Sequence, residues 1–396
     1  MKVAFTSDVY WPRVNGVTIS TNIFLNELRK LGHDVRLWAP EYPQDDEKDY
    51  PKKHDTGVHR LKSFGLFFSK EDRLPRITQQ HRFFRELDEF SPDLLHVQTE
   101  FLFMDMAKRY ARRRGIPMVQ TCHTYFEQYV SHYFPWAPRW LSQTLARRLT
   151  YRWFRNADAV IVPTEPMKEI LQSYGLTCPI TVVPTGIPEE DFEGLDKRRE
   201  KTESPWFERY PQLRGRPILL YVGRMAKEKN VDFLLDVFEQ VKRQIPDIVL
   251  VAAGSGPYLD DFRTLIETRG LSDGVLTPGY VDRDNLKHLY TLADVFTFAS
   301  VTETQGLVTI EAMMCGTPAV AVGKMGTAIV MGGDNGGFMV GEDVEEFSRA
   351  VLKLLQDTKL YEAKSQEALE HAKLWTAHSM ALRIEQFYVQ VIRQAG

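Results

Sequence analysis

Cysteine is nearly absent from this chain: three in 396 residues, Cys122, Cys178 and Cys315, with no metal-ligand spacing between them. So sparse and odd a count argues against a disulfide framework and for a reducing compartment. Long apolar runs are missing too. No stretch approaches the roughly 18 apolar residues of a membrane-spanning helix. The first residues, MKVAFTSDVYWP, read as a strand and a loop without a secretory apolar segment. The expectation is a cytoplasmic protein with no spanning helix, able to lie peripherally on the inner face of the cell membrane. A surplus of charge is also lacking. The formal net charge of −3 gives no overall pull toward nucleic acid or an anionic bilayer, so any such attraction must be local. Nucleic acid is therefore not an expected partner. Neither a Walker motif nor an H-E-x-x-H zinc motif occurs. Asp282-Arg283-Asp284 matches a metal-binding D-x-D by letter only, and its position suits a helix N-cap. No metal or other cofactor is expected.

What is present is ordinary globular material: 43% hydrophobic and 26% charged residues, in a chain too long for one ordinary domain. Short apolar runs alternate with helical patterns. Lys2–Thr6 reads as a strand, 7–17 as a loop, 18–31 as a helix closed by Gly32, and 34–39 as the next strand. That β–loop–α–β order signals an α/β fold with parallel sheets, whose ligands gather at the C-terminal ends of strands. Further strands are read at 93–98, 117–122, 158–163 and 180–184. A second series starts at 217–222 and continues at 248–253, 294–299 and 319–322. The charged stretch 189–215, broken by Pro205, Pro211 and Gly215, reads as a linker. Two Rossmann-like domains follow, 1–195 and 210–376. The glycine-rich stretch 322–337 reads as loops, and 346–355, 360–374 and 377–393 as helices.

The most informative stretch is ASVTETQGLVTIEAMMCGTPAVAV, residues 299–322. Two carboxylates, Glu303 and Glu311, lie there with seven residues between them. Helical spacing begins at Leu307 and places Ile310, Met313 and Met314 on a shared face. Gly316-Thr317-Pro318 stops the helix. A helix N-terminus offers unpaired amides and a positive dipole end, and Gly306 lets a bulky anion approach them. A carboxylate on either side can accept from sugar hydroxyls. The arrangement suits a sugar–diphosphate–nucleoside. Taken alone, it suits a solvated loop acid and a surface helix residue as well.

ETQGLVTIEAMMCGTP resembles the E-x7-E signature of retaining glycosyltransferases of family 4, which share the two-domain GT-B fold. TETQGL is similar in wording to bacterial diacylglycerol glycosyltransferases. GRMAKEKN, residues 223–230, resembles the family's G-R-x-x-x-E-K-N motif. HTYFEQY, residues 123–129, resembles the H-T-x-Y-E-x-Y of lipid-directed members. The resemblance covers nearly the whole chain. It implies two domains facing a cleft, with the last helix, about 377–396, crossing back to the N-terminal domain. It implies catalytic roles for His123, Arg224, Lys229 and Glu303. Arg224 and Lys229 would neutralise the donor diphosphate. Such cations at a helix start, where acids are favoured, call for an anionic partner. Donor contacts are implied for Gly16, Gly223, Gly254, Gly256, Val281, Gln305, Gly306, Leu307 and Glu311. Tyr125 and Glu127 are implied on the acceptor side. Gly16 and the 254–257 turn are also compatible with plain tight turns.

Two further stretches stay open. Phe64, Leu66, Phe67 and Phe68 either line an acceptor site or membrane contact, or pack in the core. Between Gln128 and Ala157 there is no acidic residue. Arg139, Arg147, Arg148, Arg152 and Arg155 stand there among tryptophans, and Leu141, Leu145, Leu149 and Trp153 form a stripe spaced by four. The Arg139–Arg155 segment is either a face for an anionic membrane or a crossover helix packed on the sheet. The expected activity is transfer of a hexose, glucose favoured, from UDP-glucose to a membrane lipid such as diacylglycerol. GDP-mannose as donor, a soluble or polyprenyl-linked acceptor, and a non-catalytic nucleotide-sugar-binding protein remain alternatives. A nucleotide-sugar epimerase ranks lower, because it would use acids around the sugar rather than an Arg–Lys pair.

Overall fold

The computed structural model describes residues 1–13, 15–43, 56–66, 69–123, 139–301, 303 and 305–395. The chain divides into two compact units, Met1–Gly186 with Ala377–Gly396, and Ile187–Thr376.

The first unit is built on β1 (Lys2–Thr6), β2 (Asp34–Pro40), β3 (Val58–Leu61), β4 (Ser63–Leu66), β5 (Ser69–Pro75), β6 (Leu94–Val97), β7 (Met118–Thr121), β8 (Ala159–Val162) and β9 (Ile180–Val182). Seven of these form a parallel sheet in the order β3-β2-β1-β6-β7-β8-β9, and β4 and β5 make a separate antiparallel hairpin. In the second unit, β10 (Ile218–Val222), β11 (Val249–Ala253), β12 (Val275–Gly279), β13 (Val295–Phe298), β14 (Ala319–Val322) and β15 (Gly337–Val340) form a parallel sheet ordered β12-β11-β10-β13-β14-β15. The central strands are almost wholly buried and mostly apolar. AVIV at β8 and ILLYV at β10 are buried at every position, as strands covered by helices on both faces must be. In both sheets the strand order reverses beside the first strand, between β1 and β6 and between β10 and β13.

The last helix, Ala377–Ala395, belongs to the first unit, although the whole second unit precedes it. Met380, Ile384, Tyr388 and Val391 recur every three to four residues and are buried with Phe5, Leu25 and Leu28. Tyr388 also reaches the sheet. Its hydroxyl lies 2.5 Å from His96 Nδ1, while His96 Nε2 lies 2.6 Å from Thr121 Oγ1.

Several expectations are corrected. The first unit ends at Gly186 rather than near residue 195, and the supposed linker is folded into the second unit. Short helices run through Lys197–Glu203 and Trp206–Arg209. Trp206 and Phe207 are buried, Trp206 Nε1 donates to Asn285 O at 3.0 Å, and Lys197 Nζ donates to Ala293 O at 2.8 Å. Charge dominates the composition of that stretch, but two aromatics and one lysine supply its anchors. The glycine-rich stretch 322–337 holds a helix, Met325–Met331, ended by Gly332 in the left-handed region. The run Thr327–Met331 has enough apolar side chains to form it. Gly16 is the first residue of the helix Gly16–Lys30, with Asn15 capping Thr18 N at 2.9 Å, rather than part of the preceding loop. Phe64 lies on the hairpin, 42% exposed, so it is not core. Phe67 and Phe68 fall outside the described residues.

Because the C-terminal helix fills the first unit's core, truncating it should destabilise that unit alone. Ile384→Ala is expected to cost about 2–5 kcal/mol. Amide exchange should accelerate in β1 and β6 and stay unchanged in β10 and β13. Loss of protection confined to the second unit would contradict the assignment.

Candidate active site

In the second unit, three strand tips are laced together by their backbones. Gly223 N donates to Ala253 O at 3.1 Å, Gly254 N to Gly279 O at 2.8 Å, and Met225 N to Ser255 O at 2.9 Å. A Cβ on Gly254 would stand 1.8 Å from Gly223 O, and one on Gly256 would stand 2.3 Å from Met225 O. Neither position accepts a side chain, which explains the G-x-G spacing after β11. Gly223, Gly254 and Gly256 thus form one backbone platform at the tips of β10 and β11. Val281 follows β12 and is half-buried against the core.

Arg224 leaves that platform with its side chain 62% exposed, paired to Glu228. Lys229 ends a short turn at Lys227–Lys229 and is far less exposed. Its Nζ donates to Glu303 Oε2 at 2.8 Å, across 74 residues of sequence. The Glu303 carbonyl in turn accepts from Gly326 N at 2.8 Å, which fixes the loop after β13. Two of the expected catalytic residues are therefore in direct contact at the point where strand order reverses. Such points are where ligands of open α/β sheets bind.

Gly306, at φ +68°, caps the helix Leu307–Met314. Any side chain there would face both a left-handed backbone and Val330 Cγ2 at 3.0 Å. Gln305 and Leu307 flank it, half-buried. Glu311 lies one turn into the helix and meets a different partner, accepting from the Tyr290 hydroxyl at 2.8 Å. Burial pushes the Glu311 carboxyl above its ordinary range, opposed by the Tyr290 hydrogen bond and by Arg283. Asp282 caps the helix Arg283–Leu292, accepting from Asn285 N at 3.0 Å, in keeping with its reading as a cap. Among the described residues, no cluster of three or more His, Cys, Asp or Glu side chains could hold a metal ion.

In the first unit, polar residues gather at the tips of β1, β6 and β7. His123 follows β7, and its Nε2 lies 3.0 Å from Gln98 Oε1. Burial pushes the imidazole down to about 4, so it is neutral near pH 7. Gly16 stands on open space, with nothing within 4 Å of where a Cβ would be. Tyr125 and Glu127 lie outside the described residues.

Sequence reasoning missed the polar cluster beside His123. Asp8, just past β1, accepts from Thr99 Oγ1 at 2.7 Å and from Phe103 N at 3.1 Å. Asp8 N donates to Thr99 Oγ1 at 2.8 Å. Glu100 is 6% exposed, and its Oε1 has no hydrogen-bond partner. Desolvation raises Asp8 to about 6 and Glu100 to about 8, the latter helped by the Asp8 charge. Polar residues directly after two adjacent strands were the available signal. Tyr290 was missed as well.

The helix Arg139–Phe154 answers one open question in part. It buries Ala146, Thr150 and Phe154, while Leu145 is 49% exposed beside Arg148, Tyr151 and Arg152. The expected stripe is therefore not the buried face. The small side chains at 146 and 150 are on the buried side, and Leu145 faces outward. Arg147 donates to Ser173 O at 2.9 Å and lies over the Tyr174 ring. No helix among the described residues is long and apolar enough to cross a membrane.

Residues 14–191 match the family described as Glycosyltransferase Family 4, and residues 203–371 match Glycosyl transferases group 1. The alpha-monoglucosyldiacylglycerol synthase of Streptococcus pneumoniae is 30% identical over 334 residues, 82% of this chain and 71% of that protein. The enzyme of the same name from Acholeplasma laidlawii is 25% identical over 99% of this chain and 98% of its own. Among solved structures, Anabaena HepE in complex with UDP superimposes with a TM-score of 0.73 at 16% identity, covering 98% of this chain and all of that one, which shows a shared fold.

Glu100 has a pH signature. Its folded value of about 8 exceeds the ordinary 4.5. The folded protein therefore holds a proton that the unfolded chain gives up, and stability falls as pH rises from about 4.5 to 8. Below that window the penalty is absent, and above it the penalty is constant. Glu100→Gln should match wild type at pH 4.5 and exceed its melting temperature at pH 8 by at least about 2 °C. An equal melting temperature at both values would contradict the buried proton.

Proposed function

This chain belongs to the glycosyltransferases of family 4 with the GT-B fold, and on that premise we propose that it transfers glucose from UDP-glucose to a membrane diacylglycerol, retaining the anomeric configuration. The observation that carries the reading is the Lys229–Glu303 contact beside Arg224, at the strand-order reversal of the second unit. A diphosphate entering there meets two cations, the backbone platform and the Gly306 cap. Glu303 is positioned to accept from hydroxyls of the transferred sugar, and Glu311 to accept from the ribose.

The chemistry needs no covalent nucleophile. The bond between the anomeric carbon and the diphosphate oxygen breaks, leaving a sugar with cationic character. The acceptor hydroxyl forms the new bond on the same face, and its proton passes to a diphosphate oxygen. Arg224 and Lys229 stabilise the charge that builds on the leaving group, in place of a metal ion. A neutral His123 can accept from a hydroxyl through its unprotonated ring nitrogen without adding a charge.

The lipid acceptor is supported by the names of the two synthases and by the motif wording of TETQGL and HTYFEQY. The outward face of the Arg139–Phe154 helix, with Leu145 and Tyr151 among arginines, is consistent with peripheral contact to an anionic bilayer on its cytoplasmic side.

Radiolabelled UDP-glucose and GDP-mannose, offered separately with diacylglycerol in anionic or neutral vesicles, test this directly. Label is expected in the organic phase from UDP-glucose, more with anionic vesicles and undiminished by a chelator. Label from GDP-mannose alone would replace the donor. Slow release of nucleoside diphosphate with an empty organic phase would replace the lipid acceptor by a soluble one. Arg224→Ala should lower turnover by at least about 10²-fold, and turnover near wild type would remove Arg224 from the mechanism.

A further inference from the structure

Glu311 is held by a residue that no motif includes. Tyr290 is the eighth residue of the helix Arg283–Leu292 and is 1% exposed. Its ring packs against Phe296 with centroids 5.9 Å apart, and its carbonyl accepts from Thr317 Oγ1 at 2.7 Å. Ring and backbone are both fixed, so the hydroxyl has one direction in which to point. It donates to Glu311 Oε2 at 2.8 Å. Burial beside that carboxylate keeps the phenol protonated, hence always a donor. The nearest cation to the pair, Arg283, is itself bridged to Asp191 at 2.7 Å and is not drawn onto Glu311.

A glutamate free to rotate would lose side-chain entropy on gripping a ligand. A glutamate with one oxygen already fixed has a set carboxylate plane and presents Oε1 to an incoming donor. A vicinal diol supplies two such donors. We propose that Tyr290 is the positioning residue that orients Glu311 toward the 2′,3′-diol of the donor's ribose, so that the second unit selects ribonucleoside over 2′-deoxyribonucleoside diphosphates. This rests on the nucleotide-sugar reading, in which Glu311 meets the ribose. It adds the group that sets the geometry and the selectivity that follows from it.

The test is calorimetric titration of wild type, Tyr290→Phe, Glu311→Ala and the double variant with UDP, 2′-deoxy-UDP and GDP. Wild type should bind UDP more tightly than 2′-deoxy-UDP. Tyr290→Phe keeps the ring packing and loses only the donated hydrogen bond. It should weaken UDP binding roughly tenfold, the scale of a hydrogen bond to a charged group, and narrow the ribo-to-deoxy ratio by a similar factor. In the Glu311→Ala background, which has no side-chain acceptor, the same change should be nearly silent, since the hydroxyl acts only through that carboxylate. An unchanged ribo-to-deoxy ratio in Tyr290→Phe, or losses that simply add in the double variant, would overturn the inference. So would a phenylalanine variant that fails to fold, because the hydroxyl would then be structural. If wild type binds neither UDP nor GDP, the nucleotide-sugar reading fails instead.

Discussion

When two neighbouring parallel strands send their chains off in opposite directions, no connection covers the space beyond their ends. Both sheets contain one such pair, β1 with β6 and β10 with β13. Everything functional in this protein hangs on that constraint. The apolar runs must pair as parallel strands to bury both faces, the crossover helices must then lie on either side, and the uncovered strand ends must be finished with polar residues. In the second unit these are Arg224 and Lys229 after β10 and Glu303 after β13. In the first they are Asp8 after β1 and Gln98, Thr99 and Glu100 after β6, with His123 one strand further on.

The two units finish their gaps differently. In the second, the central contact is an ion pair between partly exposed side chains, Lys229 and Glu303. On the proposed function, an anion and a sugar would take over the lysine and the carboxylate, each exchanging one partner for another. The Gly254 and Gly256 platform contributes rigidity without side chains to displace. In the first unit the gap is crossed by a buried hydrogen-bonded bridge, Asp8 to Thr99, which is costly to break.

What could be read from the sequence was what is encoded locally. Glu303, Gly306 and Glu311 fall within nine residues, and Arg224 and Lys229 within six, so each group lies inside one short motif that resembles the family's. The Asp8–Thr99 bridge spans 91 positions and the Tyr290–Glu311 contact 21. Neither has a local signature, because each depends on which strands and helices become neighbours. Composition misled in the other direction. The charged stretch before β10 looked like a linker, since its anchors, Trp206, Phe207 and Lys197, are few. The run after β14 looked like loops, since its glycines hide a two-turn helix. The leucine stripe around Leu145 had the right period, but the buried side chains are Ala146, Thr150 and Phe154, and Leu145 is exposed.

The C-terminal helix shows how far such a contact can reach. Its Tyr388 touches His96, His96 touches Thr121, and Thr121 ends the strand that delivers His123. His96 is buried, and burial pushes its imidazole well below the usual range, so its ring is neutral, as the buried His123 ring is. A neutral, fully partnered network beneath a strand tip holds that tip in place without placing a field on the group above it. The chain nonetheless has to complete the whole second unit before it can supply Tyr388. The residue at position 388 thus braces the strand on which His123 stands, although 265 positions separate them. The helix, which reads from sequence as a plain amphipathic segment, is thereby part of the packing beneath the strand tip that carries His123.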